Sequence, residues 1–314
     1  MWGFGEGIAL RGLLVNARNG VDSEHIEFTR KLLRQYASGK VGAKNEEHIA
    51  PGVELISLYE ETGEQSLIEA AIQLAALNAT FPKNEYGARM HRPDLPGWRQ
   101  QIWVDCMDVD APFLLKLATI TGNESFVQQG LDEILGYCRA LQEESGECEG
   151  LFWHGYESHC GRNGQLWARG NGWALMGLVE TLKQLPGEKS LERAELNARL
   201  QHLCQALQRL QSDSGLWHTV VTENETYLES TLAIMTAFAL REGFDAGLLD
   251  ERQYGEMERK ARSAALQCVN DQGELEKVSD ATPIGEVKMY ASRPFGVFPW
   301  GQGPLLLMLS QHDS

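Results

Sequence analysis

The segment Trp167-Ala168-Arg169-Gly170-Asn171-Gly172-Trp173 holds two tryptophans and an arginine within one short stretch. Tryptophan faces stack on sugar rings, and an arginine fork grips a carboxylate through two parallel hydrogen bonds. Gly170 and Gly172 free the backbone for a tight turn or for the close approach of a ligand. The combination suits an acidic sugar. The structural alternative is a pair of aromatics that cap a core beside a turn.

Four further clusters carry chemistry. In Gln101-Ile102-Trp103-Val104-Asp105-Cys106-Met107-Asp108, Asp105 follows a tryptophan and precedes an apolar helix. If the stretch is helical, Asp105 and Asp108 share a face. Two close carboxylates favour one that keeps its proton and works as acid and then base. A first-turn carboxylate stabilised by the helix dipole is the plain alternative. His154, between Trp153 and Gly155, is a loop histidine beside aromatics. Asn45-Glu46-Glu47-His48 opens a helix, where Glu46 and Glu47 also suit simple N-terminal charges. Arg89-Met90-His91-Arg92 is a basic spot fit for a carboxylate ligand or a structural salt bridge.

Other chemistries find no support. The chain has no G-x-S-x-G elbow, P-loop, G-x-G-x-x-G after a strand, or H-E-x-x-H. No His, Cys and Asp residues share metal-ligand spacing, so neither metal nor cofactor is expected.

The 314 residues carry a net charge of −16 and are 43% hydrophobic. That balance opposes binding to nucleic acid or to an anionic membrane surface. An acidic substrate must therefore be held by local Arg and His donors. No apolar run approaches the ~20 residues of a membrane span. The start lacks the pattern of a signal peptide. Six scattered cysteines without a C-x-x-C pair fit free thiols. Together these point to a cytoplasmic protein; monomer and homodimer both stay open.

The elements that must position these residues are helices. Ala70 to Leu77, Ala194 to Leu210 and Ser230 to Leu240 have apolar residues at three- and four-residue spacing. Leu216 to Val221 is the clearest candidate for a short strand or an extended loop. Leu58 to Leu67 echoes Leu117 to Phe126, each with a helix stopping at Thr-Gly. Similar stops at Gly20, Gly187 and Gly243 set a repeat of about 43 to 65 residues, the size of stacked helical hairpins. About six hairpins result. Short connections alternate with long ones rich in aromatics, His and Gly: 81–103, 147–173, 212–227 and 280–303. Long loops gathered at one end favour a closed all-α toroid with its site at that end. No linker divides the chain, so residues 1–314 read as a single domain.

On these motifs the chain resembles the unsaturated rhamnogalacturonyl hydrolases, glycoside hydrolase family 105, and more distantly the unsaturated glucuronyl hydrolases of family 88. The resemblance also takes in Gly3 to Gly7, Ser214-Gly215-Leu216-Trp217 and Trp300-Gly301-Gln302-Gly303. It implies an (α/α)6 barrel that acts on oligosaccharides left by polysaccharide lyases, removing a terminal 4,5-unsaturated uronate. By resemblance, Asp105 is the acid/base and Glu47 the assisting carboxylate, at a position where the family has Asp. An extra methylene moves a carboxylate by over ~1 Å. The resemblance places Trp167, Arg169, Trp173, His91 and His154 against the substrate. Asp108 departs from the apolar or aromatic residue expected there, and could tune Asp105 or contact another substrate group. Two rival readings are an α/α-barrel sugar epimerase or isomerase, with His91 and His154 as opposed bases, and a non-catalytic acidic-sugar-binding protein.

Overall fold

A computed structural model describes residues 3–21, 23–40, 49–187 and 189–311. Its frame is a run of helices: α1 (Phe4–Arg18), α2 (Glu24–Ala37), α3 (Gly52–Thr62), α4 (Gln65–Asn78), α5 (Asp110–Thr121), α6 (Glu124–Leu141), α7 (Ala168–Gln184), α8 (Ser190–Leu210), α9 (Thr231–Asp245), α10 (Glu251–Leu266), the short α11 (Val287–Ala291) and α12 (Pro299–Leu309). Among the described residues no helix is long and apolar enough to cross a membrane.

Local signals explain the element ends. Ser23, Asn123 and Asp250 cap α2, α6 and α10 by accepting a hydrogen bond from a first-turn N–H. Gly63 and Gly122 close α3 and α5 in the left-handed conformation expected of the Thr-Gly stops. Gly243 behaves otherwise. Helix α9 runs through it to Asp245, because a bare Cα there makes room for Leu249.

The helices form two rings. Helix α1 packs on α3, α3 on α5, α5 on α7, α7 on α9, α9 on α12, and α12 again on α1. This inner ring closes as an (α/α)6 barrel. Helices α2, α4, α6, α8 and α10 each pack outside the inner helix they follow. The division shows in the burial. Helix α7 is buried nearly all round, whereas α2 buries one stripe of Ile26, Thr29, Leu33 and Tyr36.

Closure between α1 and α12 relies on glycine. A Cβ on Gly303 would lie 2.7 Å from the backbone of Ile8, and one on Gly12 would lie 2.9 Å from the Gly303 carbonyl oxygen. Across the same seam, Asn16 Nδ2 donates to the Leu306 carbonyl at 2.8 Å, and Asn19 Nδ2 to that of Ser310 at 2.8 Å.

Among the described residues, the long connections fold into three small antiparallel sheets. The first has order β1 (Gln101–Trp103), β2 (Gly155–Glu157), β3 (Gly161–Asn163); β4 (Trp217–His218) pairs with β5 (Leu228–Glu229), and β6 (Val278–Ser279) with β7 (Phe295–Gly296). The strand expected at 216–221 is thus the two-residue β4.

Overpacking a tight backbone contact costs ~1–3 kcal/mol. Gly303→Ala is therefore expected to lower the unfolding free energy by that amount in urea titration. An unchanged midpoint would mean that α1 and α12 separate at no cost, against this account of closure.

Candidate active site

The inner helices run parallel, so their N-termini gather at one end. A cavity of ≈ 260 Å³ opens there, lined by Gly5 and Glu6 of α1, Trp98, Trp103, Asp105, Trp167, Arg169, Thr282 and Trp300. The gathered N–H groups make this end positive, which suits an anionic sugar in a protein that is negative overall. The opposite end holds a second cavity of ≈ 240 Å³, reached by Arg18, Lys116 and Lys183. Those cations complement the negative helix ends and are ion-paired: Arg18 and Lys116 with Glu60 at 3.1 Å, Lys183 with Glu242 at 2.5 Å.

Asp105 lies in a 3-10 turn, Val104–Met107, that joins β1 to α5. The β1–β2 register pairs Trp103 with Gly155, and Val104 N–H donates to the His154 carbonyl at 2.9 Å. These two bonds bring His154 to Asp105 although 49 residues separate them in the chain. Nε2 of His154 stands 3.5 Å from Asp105 Oδ2, and both atoms are buried without a hydrogen-bond partner among the described residues. Buried polar atoms without partners are uncommon and mark a place where a ligand or water completes the set.

Asn171 holds the other side of this loop. It accepts from Phe152 N–H at 2.9 Å and donates to the Phe152 carbonyl at 3.0 Å, as a neighbouring strand would. Its partner residue lies two positions before His154. This role was not legible in the sequence, since it depends on where the 150s loop crosses α7.

The tryptophan-rich motif is helical. Trp167 is the N-cap of α7, and Ala168 to Trp173 form its first turns. Gly170 and Gly172 make no turn. They let α7 approach Val104 and Met235, where a Cβ would meet carbon at 2.6 Å and sulfur at 2.5 Å. The ring of Trp167 faces the cavity and lies 4.5 Å from that of His154. Trp173, six residues on, packs in the apolar core and does not line the cavity.

Arg169 lines the cavity, but its terminal nitrogens serve the protein. Nη1 donates to the Ser279 carbonyl at 2.8 Å and to Ser279 Oγ at 2.7 Å, and Nη2 to the Asp280 carbonyl at 3.0 Å and Thr282 Oγ1 at 3.2 Å. The guanidinium carbon stacks 4.3 Å from the Trp167 ring and 5.4 Å from Trp300. Burial lowers the Arg169 pKa, and nearby Glu229 opposes that shift. Glu229 Oε2 accepts from Ser279 Oγ at 2.7 Å and Thr219 Oγ1 at 3.0 Å, so Ser279 links the two charges. The bidentate carboxylate grip expected from sequence is therefore already spent on the 279–282 loop. Nε alone lacks a partner among the described residues.

His91 is buried behind the wall, its ring stacked on Trp103 at 4.5 Å. Arg89 and Arg92 make salt bridges, with Glu133 and with Asp94 at 2.8 Å. Asp108 takes a different course from Asp105. It turns into the barrel and pairs with Arg11 at 2.5 Å, beside buried Glu54 and the second cavity. The shared face expected for Asp105 and Asp108 fails because the 3-10 turn ends at Met107, before Asp108, and Arg11 of α1 draws Asp108 inward. Glu47 lies outside the described residues. Among those described, no group of three or more His, Cys, Asp or Glu is placed to hold a metal ion.

The comparisons with known proteins agree with this architecture. The model of Glycosyl Hydrolase Family 88 matches residues 1–312. The unsaturated rhamnogalacturonyl hydrolase YesR of Bacillus subtilis is 24% identical over 98% of this chain and 89% of its own length. A family 105 glycoside hydrolase from C. acetobutylicum superposes with a TM-score of 0.87 at 25% identity, covering 99% of this chain and 93% of that one. The unsaturated glucuronyl hydrolase of Bacillus sp. GL1 superposes with a TM-score of 0.75 at 17% identity, covering 96% and 84%. The chain belongs to Glycosyl Hydrolase Family 88 and is a glycoside hydrolase.

Burial raises the pKa of both Asp108 and Glu54, and Arg11 is the cation that opposes this in each case. The folded chain thus holds these protons more tightly than the unfolded one. The resulting stability is full in acid and is lost as pH rises from the ordinary carboxylate range through the folded values. Asp108→Asn removes one such proton, so its urea midpoint is expected to fall less than the parent's between acid and neutral pH. Parallel pH curves would rule this out.

Proposed function

We propose that the protein removes a 4,5-unsaturated uronate from the non-reducing end of lyase-generated oligosaccharides, with an unsaturated rhamnogalacturonan disaccharide as substrate. One observation carries the reading. Asp105 presents a buried carboxylate oxygen without a partner among the described residues, in a cavity walled by Trp98, Trp103, Trp167 and Trp300. The family, and the names of YesR and of the glucuronyl hydrolase, support the substrate class.

Asp105 then works twice. It gives its proton to C4 of the vinyl ether, and positive charge develops at C5, shared with the ring oxygen. Water attacks C5 and returns a proton to Asp105. The hemiketal opens, C1 becomes a hemiacetal, and the next sugar leaves. One carboxylate suffices, so the spacing rule for paired glycosidase carboxylates does not govern this site. The tryptophans wall the sugar. Arg169 supplies positive charge, its Nε–H and a flat face between Trp167 and Trp300. The uronate carboxylate gains from the gathered helix N-termini. Glu47, in this reading, assists Asp105.

An epimerase needs two opposed bases, and His91 stands behind Trp103 rather than in the cavity wall. The closed inner ring supports reading residues 1–314 as a single catalytic domain. Six free cysteines favour a reducing, cytoplasmic setting.

The test follows ultraviolet absorbance of the conjugated uronate with lyase-generated disaccharides from pectin and from glycosaminoglycans. Signal loss is expected with the rhamnogalacturonan product. A flat trace with every substrate would overturn the reading. Asp105→Asn is expected to stay folded and to lose at least ~100-fold in turnover; a fully active variant would remove Asp105 from its role.

A further inference from the structure

The contact between His154 and Asp105 raises the question of which imidazole nitrogen carries the proton. A residue behind the cavity wall answers it. Tyr290, on α11, is fully buried, and its phenol oxygen lies 2.6 Å from His154 Nδ1. The seat for that oxygen is built by backbone. A Cβ on Gly164 would lie 2.8 Å from it and 2.9 Å from His154 Cβ, and Gly164 has φ of +76°, so the position excludes a side chain twice over. Tyr227 Oη donates to the Tyr290 carbonyl at 3.0 Å and steadies the short helix.

Burial raises the phenol's pKa, so the hydroxyl keeps its hydrogen. Among the described residues, His154 Nδ1 is the acceptor that this hydrogen reaches, at 2.6 Å. A neutral imidazole that accepts at Nδ1 carries its proton on Nε2. Nε2 is the nitrogen that faces Asp105 Oδ2.

We propose that Tyr290 is a positioning residue that holds His154 in the Nε2–H form, so that the imidazole presents a donor to Asp105. The consequence for turnover rests on the hydrolase reading above; the tautomer itself does not. Once Asp105 has given its proton to C4, the new carboxylate accepts from Nε2–H. It stays oriented until the attacking water returns a proton. His154 keeps its own proton throughout, and Asp105 carries the entire transfer. With the opposite tautomer, Nε2 would offer a lone pair to the carboxylate and destabilise it at that stage.

The experiment labels the histidine ring nitrogens of the full chain and records their magnetic resonance near neutral pH. His154→Gln identifies the signals by their loss. The expected result is a protonated Nε2 and an unprotonated Nδ1 for His154 in the parent protein. Tyr290→Phe is expected to collapse that asymmetry and change the shape of the pH–rate profile. It should also lower kcat by about tenfold while KM stays within about twofold. A parent His154 protonated at Nδ1 would overturn the proposal, as would a Tyr290→Phe enzyme with unchanged kcat and pH profile. If Tyr290→Phe does not fold, the parent spectrum decides alone. If the parent consumes no unsaturated uronide, the hydrolase reading fails while the spectrum still tests the tautomer.

Discussion

Closing the inner ring forces α1 and α12 into contact across 290 residues of chain. Side chains at the seam would hold the two helices apart, and glycines at 12 and 303 remove them. Everything at the functional end follows from that contact. With the ring shut, the N-termini of parallel inner helices converge on one cavity, and Gly5 of α1 faces Asp105 and Trp167 across it. An open stack of hairpins would spread the same residues along a concave surface, with no shared enclosure.

The convergence also resolves an electrostatic conflict. A protein of net charge −16 does not attract an acidic sugar from a distance. Within the cavity the field is local, set by helix N-termini and by Arg169. The opposite end is treated symmetrically, with Lys and Arg placed against the helix carbonyl ends and matched by Glu60, Glu180 and Glu242. The two ends of the barrel thus carry opposite charge logic, imposed by the direction of the inner helices.

Around Asp105, the hydrogen bonds lie in the supporting layer. Asn171 clamps the 150s loop, and the β1–β2 register fixes the distance to His154. Arg169 ties down the 279–282 loop and so helps shape the wall that it lines. Asp105 Oδ2 and His154 Nε2 remain without partners among the described residues. A rigid surround with unsatisfied atoms at its centre is an arrangement in which a substrate meets little reorganisation on entry.

Much of the barrel is legible in the chain itself. Apolar spacing, Thr-Gly stops and the alternation of short and long connections are local properties, and local physics decides them: a 3.6-residue period buries one face, and glycine alone takes the left-handed cap without strain. The tryptophans, Arg169 and Asp105 stand out by type. What they do depends on contacts that span the ring. Asp105 and Asp108, three residues apart, separate into the cavity wall and a buried ion pair because Arg11 arrives from α1. Trp167 and Trp173 divide into wall and core by their angle on α7. The hydroxyl that sets the tautomer of His154 comes from 136 residues away. Composition and periodicity determined a helical barrel and its set of reactive groups. Only closure and register decided which groups meet, because a side chain's partner is chosen by the path of segments far away in sequence.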